Sequence, residues 1–273
     1  MKMSVTALCL MELAVPTKAI FNNLGNHLPA GIEIHGRTQV DWSDGSTSEG
    51  VKHPGCAYLI RTDDRRILVD TGIGHLKQQL VAFRKARGDI FYLRQEPEWA
   101  LDVQLQRFGL TPDDIDTVIM THLHYDHLGG MPLFNNARFY VQKDELPFAF
   151  MTPRYAPFYF ECMRESLIAV SDRLIVVEGD QQVVPGIELW KLGGHSPGSQ
   201  AVALRTGHGT VVLAADVIPK YENWDHDWPG AAGNIWNMDE QLRAHERLRK
   251  EADLLVPGHD WRVWEFHQDG VIL

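Results

Sequence analysis

The run His122-Leu123-His124-Tyr125-Asp126-His127 gathers three imidazoles and a carboxylate into six residues. Those are the donors that divalent first-row ions accept, with zinc foremost. On a tightly turned segment His122 and His124 project together, while Asp126 and His127 turn toward an adjacent point. The pair Gly129-Gly130 follows, and its freedom of backbone conformation suits a chain folding back behind its ligands. A polar loop with incidental histidines is the plain alternative, but it would not need this density of donors.

The elements that must position these residues are short and punctuated. An apolar run, Thr117–Met120, leads directly into His122. Further strands are expected at Val5–Leu10, Ala57–Arg61, Arg66–Asp70, Arg138–Val141, Leu174–Val177, Ile187–Leu192, Gln200–Leu204, Thr210–Ala214 and Leu254–Val256, rich in β-branched residues and bounded by Gly, Pro or Asp. Helices are expected at His75–Arg87, Pro97–Phe108, Ala156–Val170 and Glu240–Glu251, the last with Asp239 as its N-cap. Thr111-Pro112-Asp113-Asp114 reads as a compact helix start. Two apolar runs, Ile67-Leu68-Val69 and Val211-Val212-Leu213-Ala214-Ala215, each end in an aspartate, Asp70 and Asp216. An acid at the end of a buried strand is costly unless it is paired or binds a metal. The two strand ends are therefore expected to converge on one edge.

The 273 residues, 44% hydrophobic and 23% charged, suit one α/β domain spanning 1–273 with a sizeable core. Residues 22–55, rich in Gly, Asn, Asp and Ser, read as a long N-terminal excursion, and 144–170 as a helical insert near the site. A formal charge of −10 disfavours nucleic acid as a partner, because binding it requires clustered Lys and Arg. Arg84–Arg87 and Arg243–Lys250 read as solvated helix faces. Cys9, Cys56 and Cys162 are odd in number and unpaired by any motif, which favours a reducing compartment. No apolar run approaches the roughly 20 residues of a membrane-spanning helix. No small-residue cleavage site follows Val5–Leu10, so a cytoplasmic location is expected.

His-x-His-x-Asp-His resembles the signature of the metallo-β-lactamase superfamily, and the rest of its pattern occurs in order. Asp70 lies in Leu68-Val69-Asp70-Thr71-Gly72, His195 in Gly194-His195-Ser196-Pro197-Gly198, Asp216 after its strand, and His259 in Pro257-Gly258-His259. The resemblance implies a four-layer αββα sandwich holding two divalent ions per chain, zinc first among them. Carried over, His122, His124 and His195 hold the first ion, Asp126, His127 and His259 the second, and Asp216 bridges them, with Asp70 supporting from behind. It also implies hydrolysis, by attack of a metal-bridging hydroxide on an ester carbonyl, with Asp126 orienting the nucleophile or shuttling a proton.

Within the superfamily the layout is similar to the N-acyl-homoserine lactone hydrolases, which implies a small lactone or ester substrate and quorum quenching. A homodimer is among the assemblies this analogy suggests. A thioesterase of the glyoxalase II type shares every metal motif, although it generally adds a basic C-terminal helical region and only 14 residues follow His259. A metal-free binding module with the same fold is the alternative of another class. Two positions depart from the lactonases. Pro219 stands where many carry a tyrosine that contacts the substrate carbonyl, leaving Tyr221 or Tyr125 to take that role. Ser199 stands where a second His is common. Phe148, Phe150, Tyr155, Phe158, Tyr159 and Phe160 could line an acyl pocket, as could Tyr221, Trp224, Trp228 and Trp236. The remaining histidines lack motif context, although His226 lies among the tryptophans.

Overall fold

Two mixed sheets stack face to face in the computed structural model, which describes residues 2–17, 33–88, 91–151, 162–230 and 235–273. The eight-stranded sheet contains β1 (Met3–Pro16), β2 (Arg37–Asp41), β3 (Thr47–Thr62), β4 (Arg66–Val69), β5 (Tyr92–Arg94), β6 (Thr117–Ile119), β7 (Arg138–Gln142) and β8 (Leu174–Val177). Its order is β5-β1-β3-β4-β6-β7-β8, with β2 paired to β3. The five-stranded sheet runs β13-β12-β11-β10-β9, built from β9 (Gln181–Val184), β10 (Ile187–Lys191), β11 (Gln200–Thr206), β12 (Gly209–Leu213) and β13 (Leu254–Val256).

The apolar strands are buried on both faces, which is why they read as continuous hydrophobic runs. In β4, Ile67 and Val69 enter the core between the sheets, while Leu68 faces the helices outside. In β12, Val211 and Leu213 meet them from the other sheet, and Val212 faces outward. Each such side chain contributes about 1.5–3 kcal/mol by leaving water. Helices α1 (Lys77–Arg87), α2 (Leu101–Gln106), α3 (Tyr125–Leu128), α4 (Leu146–Phe150) and α5 (Cys162–Ala169) follow strands of the first sheet. Leu80, Leu101, Leu105, Met163 and Leu167 from these helices cover that sheet's outer face. Behind α6 (Tyr221–Asp225) comes α7 (Met238–Glu251), whose Ala244 and Leu248 pack on the outer face of the second sheet; α8 (Arg262–Phe266) follows β13. The layers are α, β, β, α, as expected. Among the described residues no helix is long and apolar enough to cross a membrane.

Several elements differ from expectation. Strand β3 starts at Thr47, ten residues before Ala57, and β2 pairs with it, so much of 33–55 is a β-ribbon; residues 22–32 lie outside the described residues. Helix α7 is capped by Asn237, whose side chain accepts from Glu240 N at 3.2 Å, not by Asp239. The 97–108 segment breaks at Ala100, which turns extended (ψ 137°) between a 3-10 turn and α2. Thr111–Asp114 is a single 3-10 turn, with Thr111 N donating to Asp114 Oδ2 at 2.8 Å. Of the expected helix Ala156–Val170, α5 accounts for 162–169, and 156–161 fall outside the described residues.

Strands β4, β6, β7 and β8 are mutually parallel, as are β12 and β13. Asp70, His122, Asp216 and His259 follow the carboxyl ends of β4, β6, β12 and β13, where sheets of this type bind their ligands.

Candidate metal centre

The ligand run leaves β6 extended and then tightens into α3, which starts after His124. All seven candidates are buried or nearly so, and they fall into three groups whose donor atoms lie within 4.8 Å of one another. The groups are His122, His124 and His195; His122, His127 and Asp216; and Asp126, His127 and His259. Asp216 joins the two sides. Its Oδ2 lies 3.4 Å from His195 Nε2, while its Oδ1 lies 2.9 Å from His259 Nε2 and 3.3 Å from His127 Nε2. Asp126 Oδ2 faces the same two imidazoles, 3.7 Å from His127 Nε2 and 3.9 Å from His259 Nε2.

Three of the imidazoles are held from behind at Nδ1, which leaves Nε2 for the cluster. His127 Nδ1 donates to Asp70 Oδ2 at 2.8 Å, and His259 Nδ1 donates to the Pro54 carbonyl at 2.7 Å. His122 Nδ1 meets Thr121 Oγ1 at 3.0 Å; that hydroxyl gives its own proton to Asp70 Oδ2 at 2.7 Å. Asp70 sits at φ +60°, a left-handed conformation that turns its carboxylate under the ligand loop. Thr71 adds its N–H and its hydroxyl to the His127 carbonyl, each at 2.7 Å. The glycines behind the run let the backbone fold back by closeness of approach, at negative φ. Gly129 has φ −62°, and a Cβ there would lie 2.1 Å from the Ile73 carbonyl oxygen.

Charge and burial favour a cation at this point. Burial, reinforced by neighbouring imidazoles, pushes His122 and His124 well below the ordinary range, so both keep neutral lone pairs. Burial also acts on His127 and His259, but the carboxylates of Asp126 and Asp216 outweigh it and hold both above the ordinary value. Burial would likewise raise Asp216; His259, His127 and His195 instead hold it well below the carboxylate range. The protons on this network occupy positions where a cation's charge would be accommodated. His122 Nε2, His127 Nε2 and Asp216 Oδ1 are buried without a hydrogen bond of good geometry. Such orphaned atoms are costly in a protein interior unless something binds them. Imidazole and carboxylate donors of this kind fit divalent metal.

The aromatic candidates separate. Tyr221 opens α6, with its ring against Phe266 (centroids 5.1 Å apart) and under Arg262 at 5.2 Å, in the core behind the His259 loop. Its charged neighbours are Asp260, Arg262 and Asp225, not the ligands. Tyr125 is buried beneath Arg84 at 4.8 Å. Trp224 packs under Arg249, Trp228 stacks on exposed His226, and Trp236 meets Phe148 at 4.6 Å. Of these three tryptophans, Trp236 borders a candidate ligand: its N donates to the Gly194 carbonyl at 2.7 Å, beside His195. Tyr155, Phe158, Tyr159 and Phe160 lie outside the described residues. Sequence reasoning missed His53, buried edge-on to His259 at 4.9 Å, and Glu145, buried behind the ligand loops. The extended β3 carries His53 there, and no local motif signals it.

With strand ends, ligand groups and shared carboxylate together, the class is settled: the chain belongs to the metallo-β-lactamase superfamily, whose pattern matches residues 52–259. It is a hydrolase of that superfamily, homologous to N-acyl homoserine lactonases. It is 32% identical over 217 residues to an N-acyl homoserine lactonase of Bacillus thuringiensis, covering 76% of this chain and 81% of that one. Its fold is similar to an N-acyl homoserine lactone hydrolase solved with N-hexanoyl-L-homoserine at its catalytic metal centre, at TM-score 0.74 and 24% identity over 97% of this chain and 96% of that one. A similar fold occurs in the dizinc quorum-quenching lactonase AidC, at TM-score 0.62 and 19% identity, covering 81% of this chain and 76% of that one.

Proposed function

We propose that the protein opens the ring of N-acyl-homoserine-lactone-like esters at a centre of two divalent ions, zinc first among them. The observation that carries this reading is the divided carboxylate of Asp216, one oxygen toward His195 and the other toward His127 and His259. Its support from relatives is the 32% identity with proteins named N-acyl homoserine lactonases.

On this reading His122, His124 and His195 hold one ion, Asp126, His127 and His259 the other, and Asp216 is shared. Such ions supply polarisation of the ester carbonyl and a water acidified to a pKa of about 7. The chain supplies orientation. Asp70, Thr121 and Pro54 fix the ring angles, and burial keeps bulk water from competing for the donors. Asp126, with Oδ2 toward His127 and His259, has Oδ1 to take the proton lost by the attacking water and return it to the departing ring oxygen. Water adds across the ester C–O bond, giving an alcohol and a carboxylate with release of one proton near neutral pH. Phe148 and Trp236 offer an apolar wall for the acyl chain.

Elemental analysis and a pH-stat screen test this. About two ions per chain and acid release from N-acyl homoserine lactones are expected. Turnover of thioesters with none of lactones would replace the reading with a glyoxalase II-like one. Protein without metal and without turnover would be a binding module.

A further inference from the structure

Glu145 lies in the 3-10 turn after β7 and is 1% exposed. Its carboxylate reaches two loops from different sheets. Oε2 accepts from Leu123 N at 2.9 Å, the peptide nitrogen between His122 and His124. Oε1 accepts from Ser196 Oγ at 2.5 Å and from Gly198 N at 2.7 Å, just beyond His195. We infer that Glu145 is a positioning residue that sets the spacing of His122, His124 and His195 by tying together the two loops that carry them. The inference rests on the two-metal reading.

The local chemistry is built around this carboxylate. A Cβ at position 198 would lie 2.8 Å from Glu145 Cγ, so only glycine lets that N–H come so close. Ser199, the residue that departs from the lactonase pattern, completes the arrangement. Its hydroxyl accepts from Ser196 N at 3.0 Å and lies 2.7 Å from Ser196 Oγ, whose proton goes to Glu145. An ionised carboxylate can serve all these donors, because it is acceptor-only at both oxygens. Two histidines from one loop and one from the other must meet a single ion, so a slip between the loops alters their spacing directly. The sheets have other links nearby. Gln200 N donates to the Thr121 carbonyl at 3.0 Å, Gln200 Nε2 to the Met120 carbonyl at 2.7 Å, and Gln142 Nε2 to Gln200 Oε1 at 2.9 Å. Loss of Glu145 therefore frees the ligand loops more than it separates the sheets.

Glu145→Gln tests this, since its amide nitrogen turns a donor toward Leu123 N or toward Gly198 N and Ser196 Oγ, releasing one loop. Zinc affinities are measured by competition with a chromophoric chelator, alongside the visible spectrum of Co(II)-loaded protein, kcat and KM, and melting of the metal-free chain. We expect wild-type protein to bind two ions. We expect the variant to melt within a few degrees of it when metal-free, yet to lose roughly 10–100-fold in affinity for one ion. Its Co(II) spectrum should change, and kcat should fall more than KM rises. Unaltered affinities and spectrum overturn the inference, even in a less stable variant. Should Glu145→Gln not fold, Ser196→Ala removes one donor, and several-fold weakening at one ion is expected; unchanged affinity overturns the inference there too. Wild-type protein that takes up no ion overturns the two-metal reading and this inference together, whereas two ions held equally well by variant and wild type overturn only the inference.

Discussion

Asp70 Oδ2 lies 2.8 Å from Nδ1 of His127, joining the acid at the end of β4 to the last ligand of the run after β6. The same oxygen accepts the Thr121 hydroxyl at 2.7 Å, and Oδ1 accepts Thr121 N at 2.8 Å. Both oxygens are therefore committed as acceptors. Asn at position 70 has one acceptor where three donors converge, so either His127 or Thr121 loses its anchor. We expect Asp70→Asn to weaken metal binding and kcat/KM by roughly 10–100-fold with the fold retained. Metal titration and steady-state kinetics check it, and wild-type affinity in the variant would show that Asp70 does not orient His127.

Chelation should reveal how far the centre supports the fold. A ligand that binds only the folded chain stabilises it by about 4 kcal/mol at a thousandfold excess over its Kd. For a domain of this size, that corresponds to a melting shift on the order of 10 °C. We expect EDTA to abolish turnover and lower Tm by about that amount, and added zinc to restore both. Full turnover in protein shown by elemental analysis to be metal-free would contradict a metal-dependent reaction.

Much of the candidate site was legible because its candidate ligands follow strand ends, and buried strand ends are marked by apolar runs that stop at Asp or His. Asp70 and Asp216 are far apart in sequence, yet β4 in one sheet and β12 in the other bring them to the two ring nitrogens of His127. Less legible were features decided by distant partners. The first part of β3 is polar, and it is a strand because β2 pairs with Thr47 to Val51 and β1 with the chain from Gly50 onward. Asn237 caps α7 where the sequence pattern points to Asp239, a difference of two residues that pattern alone does not resolve. His53 reaches His259 through that same pairing. The tryptophans after Asp216 look like one cluster in sequence, but they meet three different neighbours.

The surroundings of Tyr221 yield a prediction against the role expected for it. Its ring is packed by Phe266 and Arg262, and those contacts survive removal of the hydroxyl. We expect Tyr221→Phe to leave kcat/KM on a turned-over lactone within about twofold, whereas Tyr221→Ala costs stability on the order of 3 kcal/mol by emptying a buried site. A tenfold or larger fall in kcat for Tyr221→Phe, with Tm unchanged, would return the hydroxyl to the substrate carbonyl.

On the lactonase reading proposed above, Trp236 is placed to read the acyl chain. Its backbone is held at the Gly194 carbonyl beside His195, while the residue is 43% exposed and its ring meets Phe148 edge-on. An exposed Trp236 on a half-buried Phe148 is apolar surface that a substrate chain can cover, and an aromatic contact contributes about 0.5–1.5 kcal/mol beyond area burial. Because the chain lies away from the reacting carbonyl, this contact is made equally in ground and transition states, so its loss appears in KM and not in kcat. We expect Trp236→Ala to raise KM about 3–10-fold for a decanoyl homoserine lactone and less than about twofold for a butanoyl one, at unchanged kcat. Steady-state kinetics over a series of chain lengths measures this directly. An equal rise for both lengths would mean that the ring supports the His195 loop and does not touch the chain.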